Sequence, residues 1–108
     1  MSDEGAKRIE EEAKRIAAQL MREGRIYEIA LLAYLYHFPE GALLADLREV
    51  VGRGKITSYH RTLSYVMRLK EMGLVVEERI KRFRLYKLTD KGREVAKIFA
   101  EMMGPIEA

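Results

Sequence analysis

Cysteine is absent, which excludes disulfides, thiolate catalysis and Cys-ligated zinc or iron–sulfur sites together. There are two histidines, His37 and His60, too far apart in sequence to suggest a ligand pair, so neither a metal nor any other cofactor is expected. No apolar run approaches the roughly eighteen residues of a membrane span, the longest being Ile29 to Tyr36. The start, Met1-Ser2-Asp3-Glu4-Gly5, is acidic where a secretory signal is basic and then apolar, and a soluble cytoplasmic protein with no membrane partner is expected. Asparagine is also missing, glutamine occurs once at Gln19, and three Asp stand against fourteen Glu. Usage so poor in thermolabile residues and so rich in Glu, Lys and Arg is that of heat-adapted proteins.

The 108 residues are 48% hydrophobic and 34% charged, enough to close one core and cover it with ions, so residues 1–108 are expected to form a single domain. The net charge of +3 conceals a gradient: residues 1–50 carry −3, residues 51–93 carry +8 and residues 94–108 carry −2. A basic middle between acidic ends suits a polyanion-binding unit flanked by segments with another role.

Apolar residues at Ile9, Ala13, Ile16, Ala17 and Leu20 mark one stripe of a helix over residues 6–23. From Ile26 to Phe38 two stripes appear, Tyr27, Leu31, Tyr34 and Phe38 against Ile29, Leu32 and Tyr36, so this helix has neighbours on both sides. Pro39 and Gly41 end it. Ala42 to Val51 reads as a short inward-facing helix closed by Gly52 and Gly54, and a further helix runs from Ser58 to about Met72, capped by Thr57 or Ser58. Gly73 then stops the chain, and Leu74-Val75-Val76 opens a strand whose hairpin partner, Arg84 to Leu88, lies across Ile80 to Phe83. Thr89 resembles another cap, before a last helix over residues 90–103 with Val95, Ile98, Phe99 and Met102 as its stripe.

Two helices joined by a glycine turn and followed at once by a two-stranded ribbon make a helix-turn-helix with a wing, a mainly helical α+β fold with extra N- and C-terminal helices around a core at residues 26–89. The run Leu63, Val66, Leu69, Gly73-Leu74-Val75, a basic hairpin and then Leu88-Thr89-Asp90-Lys91-Gly92-Arg93-Glu94 resembles the winged helix-turn-helix transcription regulators of the MarR and PadR kind, over roughly residues 26–103. The resemblance implies a homodimer with one recognition helix per subunit.

On the helix from Ser58 to Met72, Tyr59, Leu63, Val66 and Leu69 share one side, and Thr57, His60, Arg61, Ser64 and Arg68 share the other. Arg and His donate to guanine N7 and O6, and Ser and Thr serve bases or phosphates, so this second face suits a major groove; Ser58 joins the set and Tyr65 sits at its edge. Arg61, in the first turns, is placed to read a base, and Arg68 to meet phosphate. Arg53 and Lys55, on the preceding turn, are candidate phosphate contacts, and Arg79, Lys81, Arg82, Arg84 and Lys87 of the wing are candidates for phosphate or minor-groove contact. Strand alternation is expected to set Arg82 and Arg84 on one face and Leu85 on the other.

Other motifs fail. Gly52-Arg53-Gly54-Lys55 is like part of a phosphate loop, but Glu49 stands where its first glycine belongs and Ile56 where Ser or Thr should hold magnesium. Ser58 and Ser64 lie on no nucleophile elbow and no acid is spaced to orient either His, so no catalysis is expected. Tyr27, Tyr34, Tyr36 and Phe38 either line an effector pocket or pack as core or interface. The expected function is sequence-specific binding of double-stranded DNA, with the acidic end helices pairing two copies through Ile9, Ala13, Ile16, Leu20, Val95, Ile98, Phe99 and Met102. The alternatives are a winged-helix module that docks on protein of the transcription machinery and a sequence-indifferent, chromatin-like DNA binder.

Overall fold

In this computed structural model, which describes residues 3–52 and 59–103, the elements run α1 (Asp3–Arg22), α2 (Ile26–Tyr36), β1 (Ala42–Leu43), α3 (Leu44–Gly52), α4 (Tyr59–Glu71), β2 (Val75–Ile80), β3 (Phe83–Leu88) and α5 (Asp90–Met103). The sheet is antiparallel in the order β1-β3-β2. The expected α+β winged helix-turn-helix is therefore present, with one strand more than the periodicity indicated. Ala42 and Leu43, expected to begin a helix, pair instead with Tyr86 and Leu85 of β3. Helix α3 starts only after them, because the Asp46 carboxylate reaches back to accept a hydrogen bond from the Leu43 amide at 3.1 Å, the return half of a capping box.

Helix α5 packs against both α1 and α2. Ala13, Ala17 and Leu20 of α1, Leu31, Leu32 and Leu35 of α2, and Val95, Ala96 and Phe99 of α5 are all buried in one cluster with Leu47, Val66, Leu69 and Tyr86. Burying each of the larger side chains contributes about 1.5–3 kcal/mol. This corrects the expectation for the end helices. Ala13, Leu20, Val95 and Phe99 are enclosed by the chain's own helices and have no surface to offer a second copy, whereas Ile9, Ile16 and Ile98 keep part of theirs and Met102 is 61% exposed. Lys91 adds a link between α5 and α1, its Nζ lying 2.9 Å from Glu12 Oε1. Hydrogen bonding and attraction by that ammonium hold the Glu12 carboxyl below its ordinary range.

The end of α4, the root of the hairpin and the start of α5 meet at one point. Gly73, at φ +75°, closes α4 with hydrogen bonds from its amide to Lys70 O at 2.9 Å and from the Leu74 amide to Leu69 O at 3.0 Å. The Thr89 hydroxyl accepts from the Gly92 amide at 2.9 Å, capping α5, and donates to Gly73 O at 2.7 Å. The Thr89 amide donates to Leu74 O at 3.0 Å. Gly92 allows this closeness, since a Cβ there would stand 1.8 Å from Leu74 O.

Candidate nucleic-acid interface

Helix α4 buries Thr62, Val66 and Leu69, with Leu63 and Tyr65 beside them. The inward stripe is thus phased on Thr62 rather than on Tyr59, which is exposed with its ring edge-on to His60 at 5.5 Å. A threonine can take a core position because its methyl group packs, although its hydroxyl has no hydrogen-bond partner among the described residues. His60, Arg61 and Ser64 are exposed, as expected, and Met67 and Glu71 lie with them. Thr57 and Ser58, together with Arg53 and Lys55, lie outside the described residues.

Tyr65 and Arg68 of the expected face are engaged inside the molecule. Tyr65 stacks on Tyr27 of α2, centroids 5.1 Å apart and planes 16° apart, so its ring belongs to the α2–α4 contact. The Arg68 Nε lies 3.5 Å from Glu28 Oε2, whose side chain is only 3% exposed. Glu28 escaped the sequence reading, although it is the one charge in the otherwise apolar run Ile26 to Tyr36 and so a visible signal. Its Oε2 makes no hydrogen bond among the described residues, and the half-exposed Arg68 guanidinium supplies a positive charge beside it. Tyr34 and Tyr36 of α2 also make ring contacts within the molecule. Tyr34 meets Phe38 at 4.5 Å and Tyr36 meets His37 at 5.5 Å.

The wing is a hairpin whose strands run further than expected, up to a two-residue turn at Lys81-Arg82. No glycine marks this turn because Lys81 itself takes the left-handed conformation, at φ +54°. Arg82 therefore sits in the turn and shares no strand face with Arg84. Arg84 instead stands directly opposite Arg79, on the face that also carries Glu77 and Tyr86. The buried Tyr86 hydroxyl is bonded to Glu77 and Arg84, and burial followed by the Glu77 contact raises its pKa above the ordinary phenol value. On the opposite face Lys87 forms an ion pair with Glu78. The same face carries Val76, Ile80, Phe83 and Leu85. The apolar character of this face was not read from the sequence, although the alternation Val76, Glu78, Ile80 and Phe83, Leu85, Lys87 contains it.

This geometry has counterparts among solved structures. The crystal structure of SSV1 F-93 superposes with a TM-score of 0.61 at 26% identity, over 71% of this chain and 84% of the other. A MarR family transcriptional regulator, SPO1453 from Silicibacter pomeroyi, gives 0.66 at 23% identity over 91% and 68% of the two chains. MepR, a transcription regulator of the Staphylococcus aureus multidrug efflux pump MepA, gives 0.64 at 19% identity over 94% and 76%. The fold is a MarR-like winged helix. In that MarR-like frame α3 and α4 are the helix-turn-helix, β2 and β3 are the wing, and α1 and α5 are the flanking helices. No protein-family model and no curated protein matches the chain in sequence. Among the described residues no helix is long and apolar enough to cross a membrane.

Proposed function

We propose that this MarR-like chain is a DNA-binding transcriptional regulator that acts as a homodimer, α4 entering the major groove and the wing lying on the backbone or in the minor groove. One observation carries the reading: α4, which exposes His60, Arg61 and Ser64, leads through a three-residue turn into an exposed ribbon whose end holds Arg79, Lys81, Arg82 and Arg84, within a stretch of net charge +8. Polar side chains that donate to base edges, beside a dense cluster of cations, divide the work between reading and holding. Arg61, in the first turns of α4, is the base reader of the proposal. Lys81 and Arg82 at the tip, with Arg53 and Lys55 before α4, hold phosphates. Pairing uses the surface that α1 and α5 retain at Ile9, Ile16, Ile98 and Met102, and a dimer presents two α4 helices about 34 Å apart to successive major grooves.

Selection from random duplexes, followed by salt titration, tests the reading. Wild-type protein is expected to enrich a two-part site, and Arg61→Ala to relax preference at one position of each half, a loss of about 1–3 kcal/mol of discrimination. Arg82→Ala with Arg84→Ala is expected to weaken all sequences alike and to flatten log affinity against log salt by about one unit for each phosphate no longer neutralised. Sedimentation of the selected complex is expected to give two chains per duplex. Absence of any enriched sequence, with an unchanged salt slope in the double variant, refutes the proposal.

A further inference from the structure

The end of the wing has an unusual composition. From Arg79 to Arg84 the chain reads Arg-Ile-Lys-Arg-Phe-Arg, four cations and two large apolar residues with neither an acid nor a glycine. The register sorts them. Arg79 and Arg84 face each other on one side, Ile80 and Phe83 face each other on the other, and Lys81 and Arg82 form the turn between. Phe83 is 59% exposed, Ile80 43% and Val76, further down the same face, 47%. Leu85, between them and the core, is half-buried. The face therefore carries Val76, Ile80, Phe83 and Leu85 around the Glu78–Lys87 ion pair, and its outer end is wholly apolar, a phenylalanine opposite an isoleucine beside the outermost turn of the hairpin.

Among the described residues nothing encloses Phe83, and the groups around it decide what kind of surface can. A protein-docking hot spot is an apolar centre from which charge is depleted. Here each apolar residue of the tip has a cation on both sides in sequence, so the partner must supply dense negative charge close to an apolar slot. The minor groove of duplex DNA has that character: phosphates along both rims, apolar sugar walls, and base steps between which an apolar side chain can be pushed. The two-residue turn makes the tip narrow and sets Lys81 and Arg82 at its end, next to Phe83, so cations and the apolar side chain are presented together.

We infer that the wing tip is a wedge, Phe83 backed by Ile80 entering the minor groove and bending the duplex while Lys81 and Arg82 hold its rims. The inference rests on the DNA-binding reading above and deepens it. It assigns bending to the two apolar residues and phosphate affinity to the cations, so the two contributions separate by mutation. Opening a base step costs free energy that burial of the phenylalanine must offset, and flexible pyrimidine–purine steps open most easily, so the wedge also favours such steps where the wing lands.

The test measures affinity and end-to-end distance on one probe, a duplex of about 30 base pairs carrying the site selected by the wild-type protein and labelled at both ends for energy transfer. Wild-type protein is expected to bind and to shorten the end-to-end distance. Phe83→Ala is expected to bind about tenfold more weakly, with an unchanged salt slope and a straight duplex. Arg82→Ala is expected to lose about one unit of salt slope while the bound duplex stays bent. Ile80→Ala, at a second exposed position, is expected to reduce the bend in part. Wild-type protein that binds without bending the duplex, or Phe83→Ala that bends it fully, overturns the wedge and leaves DNA binding standing. Failure of the wild type to bind any duplex overturns both. Self-association that Phe83→Ala abolishes, with DNA binding and bending unaffected, assigns the face to a second copy and likewise overturns the wedge.

Discussion

Gly92→Ala is the sharpest perturbation, because helix propensity and tertiary geometry predict opposite signs. Gly92 lies in the first turn of α5, where replacing glycine by alanine ordinarily stabilises by up to about 1 kcal/mol. The added methyl group would stand 1.8 Å from the Leu74 carbonyl oxygen and 2.7 Å from its carbon. Both are backbone atoms, so no side chain can swing aside. Restoring an ordinary separation requires α5 to retreat from the hairpin root by about 1 Å or more, a displacement of the kind that costs roughly 1–3 kcal/mol in a packed site. The retreat also stretches the bond from the Thr89 hydroxyl to Gly73 O, now 2.7 Å, and that from the Thr89 amide to Leu74 O, now 3.0 Å. Each contributes about 1 kcal/mol. With the propensity gain set against these losses, Gly92→Ala is expected to destabilise by about 2–5 kcal/mol, lowering the melting temperature by on the order of 10–20 °C. Thermal and urea unfolding followed by circular dichroism measure it. Gly5→Ala, in α1 with nothing within 4 Å of the new methyl, is the control and should be neutral or slightly stabilising. A Gly92→Ala protein as stable as the wild type would show that the root is not packed as described.

Arg68→Ala removes the ion pair that reaches the buried Glu28 carboxylate. At 3.5 Å the pair attracts by about 5 kcal/mol for an effective dielectric of 20 and about 1 kcal/mol in water, and with Arg68 half exposed a loss of about 2 kcal/mol is expected. Glu28→Gln in the same chain should restore much of it in urea unfolding, and strict additivity of the two changes would refute the coupling. If Arg68 acts on DNA only by holding α4 to α2, Arg68→Ala weakens binding without altering the salt slope, whereas a slope lower by about one unit would assign it a phosphate. High pH should act through Tyr86. Its folded pKa lies above the unfolded value, so its contribution is fully present below the ordinary phenol pKa of about 10 and is lost as pH rises through the folded value. Urea midpoints at pH 8 and pH 10.5 should fall less for Tyr86→Phe than for the wild type, and equal falls would exclude it as the titrating group.

Periodicity made most of the fold legible because most elements bury a stripe of their own. The stripe at Ala13, Ala17 and Leu20, and that at Val95 and Phe99, were readable as apolar faces. What covers them was not, since a stripe indicates that something packs there without identifying it, and α1, α2 and α5 cover one another. Strand β1 was illegible for a different reason. Two residues have no period, and only pairing with Tyr86 and Leu85, over forty residues away, makes Ala42 and Leu43 a strand. The hairpin tip was blurred because Lys81 takes a conformation usually left to glycine or asparagine.

The candidate site was legible as a list of residues and less so as a set of available groups. The sequence placed cations correctly in the middle of the chain, and His60, Arg61 and Ser64 do reach the surface of α4. It could not show that Tyr65 spends its ring on Tyr27, that Arg68 faces Glu28, or that Lys87 is paired with Glu78, because two of these partners lie about forty residues away and the third lies across the hairpin. Those engagements take Tyr65, Arg68 and Lys87 into contacts within the molecule, and the proposed interface is carried by α4 together with the wing tip, where Lys81 and Arg82 are exposed.

The anchoring of the ribbon explains how those two parts can work together. A two-stranded hairpin alone is marginally stable in water. Here β3 is the central strand, paired on one side with β1 and on the other with β2, and the Thr89 bonds hold its lower end against Gly73 and Leu74. Only Met72, Gly73 and Leu74 separate α4 from β2, and the amides of all three are committed to carbonyls of α4. The root of the hairpin cannot be re-aimed relative to α4 without breaking that turn or unpairing β1. A side chain that must push apart base steps needs such a mount, because a hinge at the root would yield before the duplex did.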